Sequence, residues 1–329
     1  MSASRHLSVN REALKIVREI CEKPEKYNVI VKRDSSGAYI IDAGINARGG
    51  FLVGKAITEI CLGGLGEAYI SWMHVGNSNI ILPSITVYTD HPAIATLGSQ
   101  LAGWRIKASD YTAIGSGPAR ALALKPKKLY KKIEYEDKND EAVLVLETSN
   151  EPPKEVIKMV AESCGVSMEK IYLILVPTSS IAGLTQISGR IAETGMHKLF
   201  ELGLDPSFVH YAWGQAPIPL MHPDSVESMG RANDAILYGG VAYYAVNHSN
   251  DEFLEEIVEK AVSSASKDYG KPFAEIFREA DQDFYKIDPQ IFAPAMLIIT
   301  NMKSGKTFVA GKINANVLLK SMGLTLLRR

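Results

Sequence analysis

The chain of 329 residues contains little cysteine and no excess of charge of either sign. Its three cysteines, Cys21, Cys61 and Cys164, lie far apart in the sequence and form no CxxC pair. Neither a disulfide framework nor a structural zinc site is therefore expected. The formal net charge of −1 gives no electrostatic support for a nucleic-acid partner or an anionic membrane surface.

Long hydrophobic runs are also missing. The opening residues, MSASRHLSVNREAL, contain no apolar core of a signal peptide. No apolar run reaches the roughly 18 residues that a transmembrane helix needs. We therefore expect a cytoplasmic protein without membrane contact. With 46% hydrophobic residues, the chain can still bury one large core or two ordinary ones.

What the sequence does contain is a mixture of helix and strand patterns. Residues 141–177 hold two apolar strands, EAVLVLET and IYLILVP, around a helix, and predict a β-α-β unit. The turn Asp34–Gly37 predicts a hairpin. AILYGGVAYYAV reads as a β run interrupted by Gly239 and Gly240. Hairpins beside a crossover predict an α+β fold with mixed sheets.

The segment GSGPAR, residues 115–120, is a candidate anion site. Small residues followed by Pro118 are typical of an exposed helix N-terminus, whose backbone N–H groups attract anions. The spacing is not a Walker loop, and Arg120 breaks the GxGxxG pattern. A tight strand-to-helix turn without a ligand explains the segment equally well. No histidine pair has metal-ligand spacing, so no metal site is expected.

The segment QISGRIAETGMHK, residues 186–198, reads as one helix that carries Arg190 and Glu193 on the same face. They are either a solvated ion pair or a base with its electrostatic partner, and residue physics alone favours the solvated pair. Gly189 and Gly195 would each cost a helix interior roughly 1 kcal/mol against alanine. That cost indicates close packing or a close ligand.

Several long strings resemble one known family, the methenyltetrahydromethanopterin cyclohydrolases of archaeal one-carbon metabolism. The resemblance runs nearly end to end, through DHPAIATLGSQLAGWRI, GSGPARALALKPKKLY, PTSSIAGLTQISGRIAETG, YGKPFAEIFREADQDFYKIDPQIFAPA and GKTFVAGKINANVLLKS. The chain departs from the family at Ala43, where a cysteine is usual, and at MGRAND, residues 229–234, where MGSTND is usual.

The resemblance implies a reaction and an assembly. The family reversibly hydrolyses the 5,10-methenyl bridge of tetrahydromethanopterin, or of a close relative, to the 5-formyl form, without metal, nucleotide or prosthetic group. Its subunits have two α+β domains flanking a substrate pocket and form homotrimers. We expect residues 1–115 with about 275–329 in one domain and about 116–274 in the other.

The resemblance also assigns the site. The family's essential R-x-x-E matches Arg190 and Glu193, so we expect Glu193 to be the general base that activates water and Arg190 to orient it. Other residues are expected to bind the pterin substrate: Ser99, Gln100, Ser116, Gly117, Pro118, Gln186, Asp234, Asp283, Phe284 and Tyr285.

Two alternatives remain open from the sequence. One is a phosphotransferase that uses GSGPAR as a phosphate loop, which the missing P-loop lysine disfavours. The other is a pterin-binding protein without catalysis, which the presence of both Arg190 and Glu193 disfavours.

Overall fold

The computed structural model describes residues 7–76, 79–108 and 110–324. In these ranges the strands are β1 Ile30–Arg33, β2 Tyr39–Asp42, β3 Gly66–His74, β4 Ile81–Thr89, β5 Trp104–Ala108, β6 Tyr111–Ser116, β7 Ala142–Glu147, β8 Ile171–Val176, β9 Val209–Pro217, β10 Val241–Val246, β11 Met296–Asn301 and β12 Thr307–Gly311.

The α-helices of the same ranges are α1 Val9–Glu22, α2 Pro24–Tyr27, α3 Phe51–Cys61, α4 Ala119–Ala123, α5 Lys127–Ile133, α6 Lys154–Cys164, α7 Ile181–Ser188, α8 Ile191–Glu201, α9 Ser225–Gly239, α10 Asp251–Lys260, α11 Phe273–Glu279 and α12 Ala315–Ser321. A π-helix covers Ala93–Gln100, and short 3-10 turns cover Met168–Lys170, Pro206–Phe208, Ser263–Ala265, Phe284–Lys286 and Pro289–Ile291.

The chain divides into two compact units. The first consists of Met1–Glu67 with Ala93–Gly183, and the second of Ala68–Pro92 with Leu184–Arg329. The division differs from the sequence-based boundaries at 1–115 with 275–329 and at 116–274. Hydrogen bonding between strands gives the reason, because β2 pairs with β8, 133 positions further along the chain, whereas β4 pairs with β9. The sequence shows neither pairing.

The first unit is built on a six-stranded sheet in the order β1-β2-β8-β7-β6-β5. β2, β8 and β7 run parallel, and β6 and β5 continue antiparallel. Apolar side chains cover both sides of this sheet: Ile57 of α3 packs with Val145 on one side, and Ile157 of α6 packs with Leu144 on the other. Burial on both faces explains the continuous apolar runs of β7 and β8.

The second unit holds a six-stranded sheet in the order β12-β11-β10-β9-β4-β3. β10 and β11 are parallel, while β9 is antiparallel to both β10 and β4. α8 packs on β9 and β10, and α10 packs on β11 and β12. An apolar cluster that includes Leu237, Phe273 and Leu318 joins α9, α11 and α12.

Two mixed sheets with helices confirm the α+β prediction. The β-α-β unit at 141–177 is confirmed as β7, α6 and β8. Two local predictions were wrong. AILYGG is the end of α9, and only VAYYAV is a strand. Residues 186–198 form two helices, because the chain turns at Gly189 and Arg190.

Within the described ranges, none of the helices has the length and apolar character that crossing a bilayer requires.

Candidate functional site

The turn between α7 and α8 places three of the predicted side chains together. Arg190 is the N-cap residue of α8, with φ −84° and ψ 2°, and Glu193 lies in the first turn of that helix. The positive end of the helix dipole therefore favours a negative charge on Glu193. Gln186 lies on the last turn of α7 and faces the Arg190 side chain.

The Arg190 side chain contacts those of Glu193 and Gln186, and all three side chains are buried. Arg190 Nη1 lies 3.8 Å from Glu193 Oε2, an ion-pair contact longer than a hydrogen bond. Arg190 Nε donates to Gln186 Oε1 at 3.3 Å. Arg190 is 8% exposed and Glu193 6%. The interpretation as a solvated surface pair is therefore wrong.

The first turn of α8 rests directly on the second sheet. A Cβ at Gly214 of β9 would lie 2.7 Å from Ile191 Cγ2, and one at Gly240 would lie 2.5 Å from Ile191 Cδ1. Only glycine leaves enough space at these two positions, since real Cβ contacts are essentially never below 3.0 Å. The Tyr244 hydroxyl of β10 donates to the Ala192 carbonyl at 2.6 Å. The sheet thus fixes the backbone that carries Glu193.

The first unit brings together five other predicted residues. Ser99 and Gln100, at the end of the π-helix, are fully buried. The Gly117 N–H donates to the Ser99 carbonyl at 2.9 Å, which joins the two predicted segments. Ser116 Oγ lies 3.6 Å from Cys61 Sγ, and the Pro118 carbonyl accepts from Asn10 Nδ2 at 2.9 Å. Ser99 Oγ has no hydrogen-bond partner among the described residues.

The anion site expected at GSGPAR is not supported. α4 has only five residues, Ala119–Ala123, and the Gly117 N–H is already bonded to Ser99. Arg120 is fully buried and donates to the carbonyls of Leu97, Ser99 and Lys125. The segment forms a tight strand-to-helix turn held by Arg120, and substrate binding by Ser116, Gly117 and Pro118 stays a prediction.

Asp234, expected to bind the pterin ring, is occupied within the fold. It is fully buried on α9 and accepts hydrogen bonds from the Phe273 N–H of α11 and the Ser321 hydroxyl of α12. Burial raises the pKa of Asp234 to about 7, although these hydrogen bonds oppose the rise. Its position assigns Asp234 to joining three helices.

Asp283, Phe284 and Tyr285 lie on a short surface turn of the second unit. Asp283 Oδ1 accepts from the Tyr285 N–H at 2.9 Å and so caps the 3-10 turn. The Phe284 ring packs on Phe277 at a centroid distance of 4.7 Å. Tyr285 is 89% exposed.

Two residues of these clusters were missed from the sequence. Arg120 was read only as an interruption of a glycine pattern, and Tyr244 only as part of a strand. The glycine at position 195 was the available signal for Tyr244, because its cost predicted close packing. Within the described ranges, no three His, Cys, Asp or Glu side chains lie close enough to hold a metal ion.

A family model described as Cyclohydrolase (MCH) matches residues 8–322. The chain belongs to this family. It is 49% identical over 320 residues to a methenyltetrahydromethanopterin cyclohydrolase of Methanocaldococcus jannaschii, covering 97% of this chain and 99% of the relative. It is 45% identical over 319 residues to the enzyme of that name from Methanothermobacter thermautotrophicus, covering 97% and 100%. The corresponding protein of Methanococcoides burtonii is 44% identical over 318 residues, covering 97% and 99%. Family membership confirms the resemblance read from the sequence.

Proposed function

We propose that the protein reversibly hydrolyses 5,10-methenyltetrahydromethanopterin, or a close relative, to the 5-formyl form, with Glu193 as the general base. Cyclohydrolase family membership supports the reaction class. The observation that supports the mechanism is the burial of Glu193 and Arg190 together, with their charged groups 3.8 Å apart. No metal or prosthetic group enters the proposal.

The chemistry of the bridge suits a buried carboxylate. The methenyl bridge is an amidinium cation, which a nearby negative charge stabilises. Water adds its hydroxyl to the bridge carbon while Glu193 accepts the remaining water proton. One C–N bond then breaks, and Glu193 returns this proton to the leaving nitrogen. The added hydroxyl loses its own proton and becomes the formyl oxygen, so each turnover releases one proton.

Arg190 and Gln186 would position the base. A guanidinium is a planar fork that can orient a carboxylate and favour its ionised form. The Gln186 side chain accepts from Arg190 Nε and so limits the rotation of that fork. Of the other predicted contacts, we propose Ser99, Gln100, Ser116, Gly117 and Pro118 for polar parts of the pterin. Their clustering in the first unit and the buried Ser99 hydroxyl support that assignment.

The test is a measurement of kcat and pterin Kd for Glu193→Gln, following the absorbance of the methenyl group. Glutamine keeps the shape but cannot accept a proton, so kcat should fall about 10²–10⁴-fold. Binding should change far less. The matched control is Glu201→Gln on the same helix, where the carboxylate pairs with Lys198 at 3.1 Å and is largely exposed.

The outcomes separate the alternatives. Near-normal kcat in Glu193→Gln would exclude Glu193 as the base. Parent protein that binds the pterin tightly without changing its absorbance would be a carrier instead. Stabilisation by ATP with magnesium would favour the phosphotransferase.

We propose further that the protein is a homotrimer, in which the face of the second sheet opposite α8 contacts other copies. We call this face, opposite α8, the outer face. By strand register it carries Thr86, Tyr88, Tyr211, Trp213, Gln215, Val241, Tyr243, Ala245, Met296, Ile298, Thr300, Thr307, Val309 and Gly311. None of these residues is charged, and Tyr211 and Val309 are 49% and 53% exposed.

The composition and area of the outer face support a second copy as its partner. The solvated face of an antiparallel sheet is normally polar, and an uncharged aromatic one is typical of an interface. Five strands at about 4.8 Å spacing cover on the order of 500 Å². Two copies would then bury on the order of 1,000 Å², the lower end for a specific interface. The number of subunits, three, follows from the family resemblance.

Sedimentation velocity tests the assembly. The parent should sediment as three chains of 35.9 kDa, and Tyr88→Glu on the outer face should release smaller species. Ile30→Glu, an exposed apolar position on β1, is the control and should leave the parent mass. A monomeric parent at micromolar concentration would contradict the trimer, and an intact Tyr88→Glu trimer would contradict the surface.

A further inference from the structure

We propose that Tyr244 is a positioning residue for catalysis, which holds the helical turn carrying Glu193 at a fixed place on the sheet. The inference rests on the proposed role of Glu193 as the base. The hydrogen bond of the Tyr244 hydroxyl goes to the Ala192 carbonyl and not to the Glu193 side chain. In this proposal Tyr244 does not contact the substrate. It acts through the backbone of α8.

The Tyr244 hydroxyl contacts α8 at residues on either side of Glu193 in the sequence. The side chain is fully buried on β10, and its hydroxyl donates to the Ala192 carbonyl at 2.6 Å. Ala192 directly precedes Glu193, and Gly195, which the hydroxyl also approaches, lies two positions after it. The hydroxyl therefore lies beside the helical turn that contains Glu193 and ties that turn to a central strand.

Gly195 allows the hydroxyl to come this close. A Cβ at Gly195 would lie well below 3.0 Å from the Tyr244 oxygen and 3.1 Å from Pro294 Cγ. Together with the contacts of Ile191 at Gly214 and Gly240, this leaves the turn no space to shift toward the sheet. The cost of glycine inside α8 is thereby explained by the approach of Tyr244.

The charge environment keeps Tyr244 a donor. Burial raises the pKa of its phenol far above the ordinary value, and the negative charge of Glu193 raises it further. Tyr244 therefore stays protonated and cannot serve as the base.

Tyr238 provides a matched comparison for a purely structural role. It is also fully buried in the second unit, and its hydroxyl donates to the Lys271 carbonyl at 2.6 Å. That carbonyl lies on the loop before α11, in a part of the second unit assigned no catalytic role. Removing either hydroxyl should therefore cost similar stability, but only one removal should affect the base.

The experiment measures kcat, pterin Kd and melting temperature for Tyr244→Phe and Tyr238→Phe in the full-length protein, with methenyltetrahydromethanopterin as the probe. Misplacement of a catalytic group by about 1 Å can cost up to about 10²-fold in rate. We expect Tyr244→Phe to lose about tenfold or more in kcat with Kd within about twofold. Tyr238→Phe should lower the melting temperature similarly and keep kcat. Equal kcat losses in the two variants, or an unchanged kcat in Tyr244→Phe, would overturn the proposal.

A double-mutant cycle with Gly195→Ala gives a second measurement. The added methyl collides mainly with the Tyr244 oxygen, so Gly195→Ala should lower kcat strongly in the parent and less in the Tyr244→Phe background. Additive effects would contradict the mechanism. Glu193→Gln, measured beside these variants, separates the two proposals: normal turnover there refutes the base itself, whereas an inactive Glu193→Gln beside a normal Tyr244→Phe refutes only the positioning role.

Discussion

Arg120 of the first unit and Arg190 of the second are both buried arginines, yet the groups they contact differ. Arg120 is fully buried and donates to three backbone carbonyls, those of Leu97, Ser99 and Lys125. Arg190 contacts side chains, among them the Gln186 amide and the Glu193 carboxylate.

The difference shows that burial alone does not identify a catalytic charge. Carbonyls that accept from Arg120 are fixed by the chain path, so this guanidinium holds the fold together. A carboxylate partner, in contrast, can exchange a proton and can respond to a ligand's charge. We therefore expect substitutions in the two clusters to separate activity from stability.

Arg190→Lys should give the largest effect on turnover. A lysine keeps the charge but loses the planar fork, so it cannot hold the Gln186 and Glu193 oxygens in one geometry. We expect kcat to fall about 10²-fold, with a change in unfolding free energy of less than about 1 kcal/mol. Steady-state kinetics and chemical denaturation check both numbers. Full activity in this variant would remove the distinction between the two arginines.

Arg120→Lys should produce the opposite pattern. The single amino group of lysine cannot reach all three carbonyls. Each buried carbonyl left without a hydrogen bond costs about 1–3 kcal/mol. We expect a loss of about 2 kcal/mol or more in unfolding free energy, with kcat reduced much less than in Arg190→Lys. A stable Arg120→Lys with a hundredfold loss in kcat would place Arg120 in the catalytic machinery.

Asp42→Asn tests a buried carboxylate that is also bound by the backbone. Burial would raise its pKa, but N–H donors from Gly44, Ile45, Asn46 and Ala47 hold the pKa below the ordinary value. A lowered folded pKa stabilises the protein above pH about 4, and the stabilisation is lost as the pH falls through the folded value. Asp42→Asn should lose about 1–2 kcal/mol at neutral pH and show a flatter acid profile. If stability fell with decreasing pH equally steeply in the parent and in Asp42→Asn, this prediction would be contradicted.

Asp234→Asn should act mainly on the pH dependence of stability. The pKa of Asp234 is about 7 in the folded state and about 3.9 in an unfolded chain. A raised pKa favours folding below pH about 4, and that contribution disappears as the pH rises to about 7. The stability of the parent relative to Asp234→Asn should therefore decrease over this interval. Unfolding midpoints at several pH values provide the measurement, and a constant difference would refute the shift.

The sequence predicted much of the fold because the strongest signals were local. The apolar runs of β7 and β8 and the apolar periodicity of α6 predicted these three elements. The Asp34–Gly37 turn joins β1 to β2 as expected. The ending of α9 at Gly239 was misread, since an apolar run beside two glycines fits a strand as well as a buried helix. The unit boundaries depend on pairings between strands remote in sequence, which no local pattern reveals.

The site was predictable only in part for the same reason. Arg190 and Glu193 lie three positions apart, so their meeting followed from helical spacing, although the helix actually begins between them. Tyr244 reaches Ala192 across 52 positions, and Arg120 reaches Leu97 across 23. Asp234 is predicted to bind the substrate because a carboxylate can accept from the N–H donors of a pterin ring. Its hydrogen bonds to Phe273 and Ser321, remote in sequence, could not be read from a local pattern.

The close fit of Ile191 against Gly214 and Gly240 has a consequence for protein engineering. In a library that samples every amino acid, alanine is usually the mildest replacement, yet at these two positions even its single methyl would strike Ile191 at 2.7 Å and 2.5 Å. The nearby Thr194 is only half-buried. Efforts to redesign substrate preference should therefore leave this glycine pair untouched and vary the side chains around it.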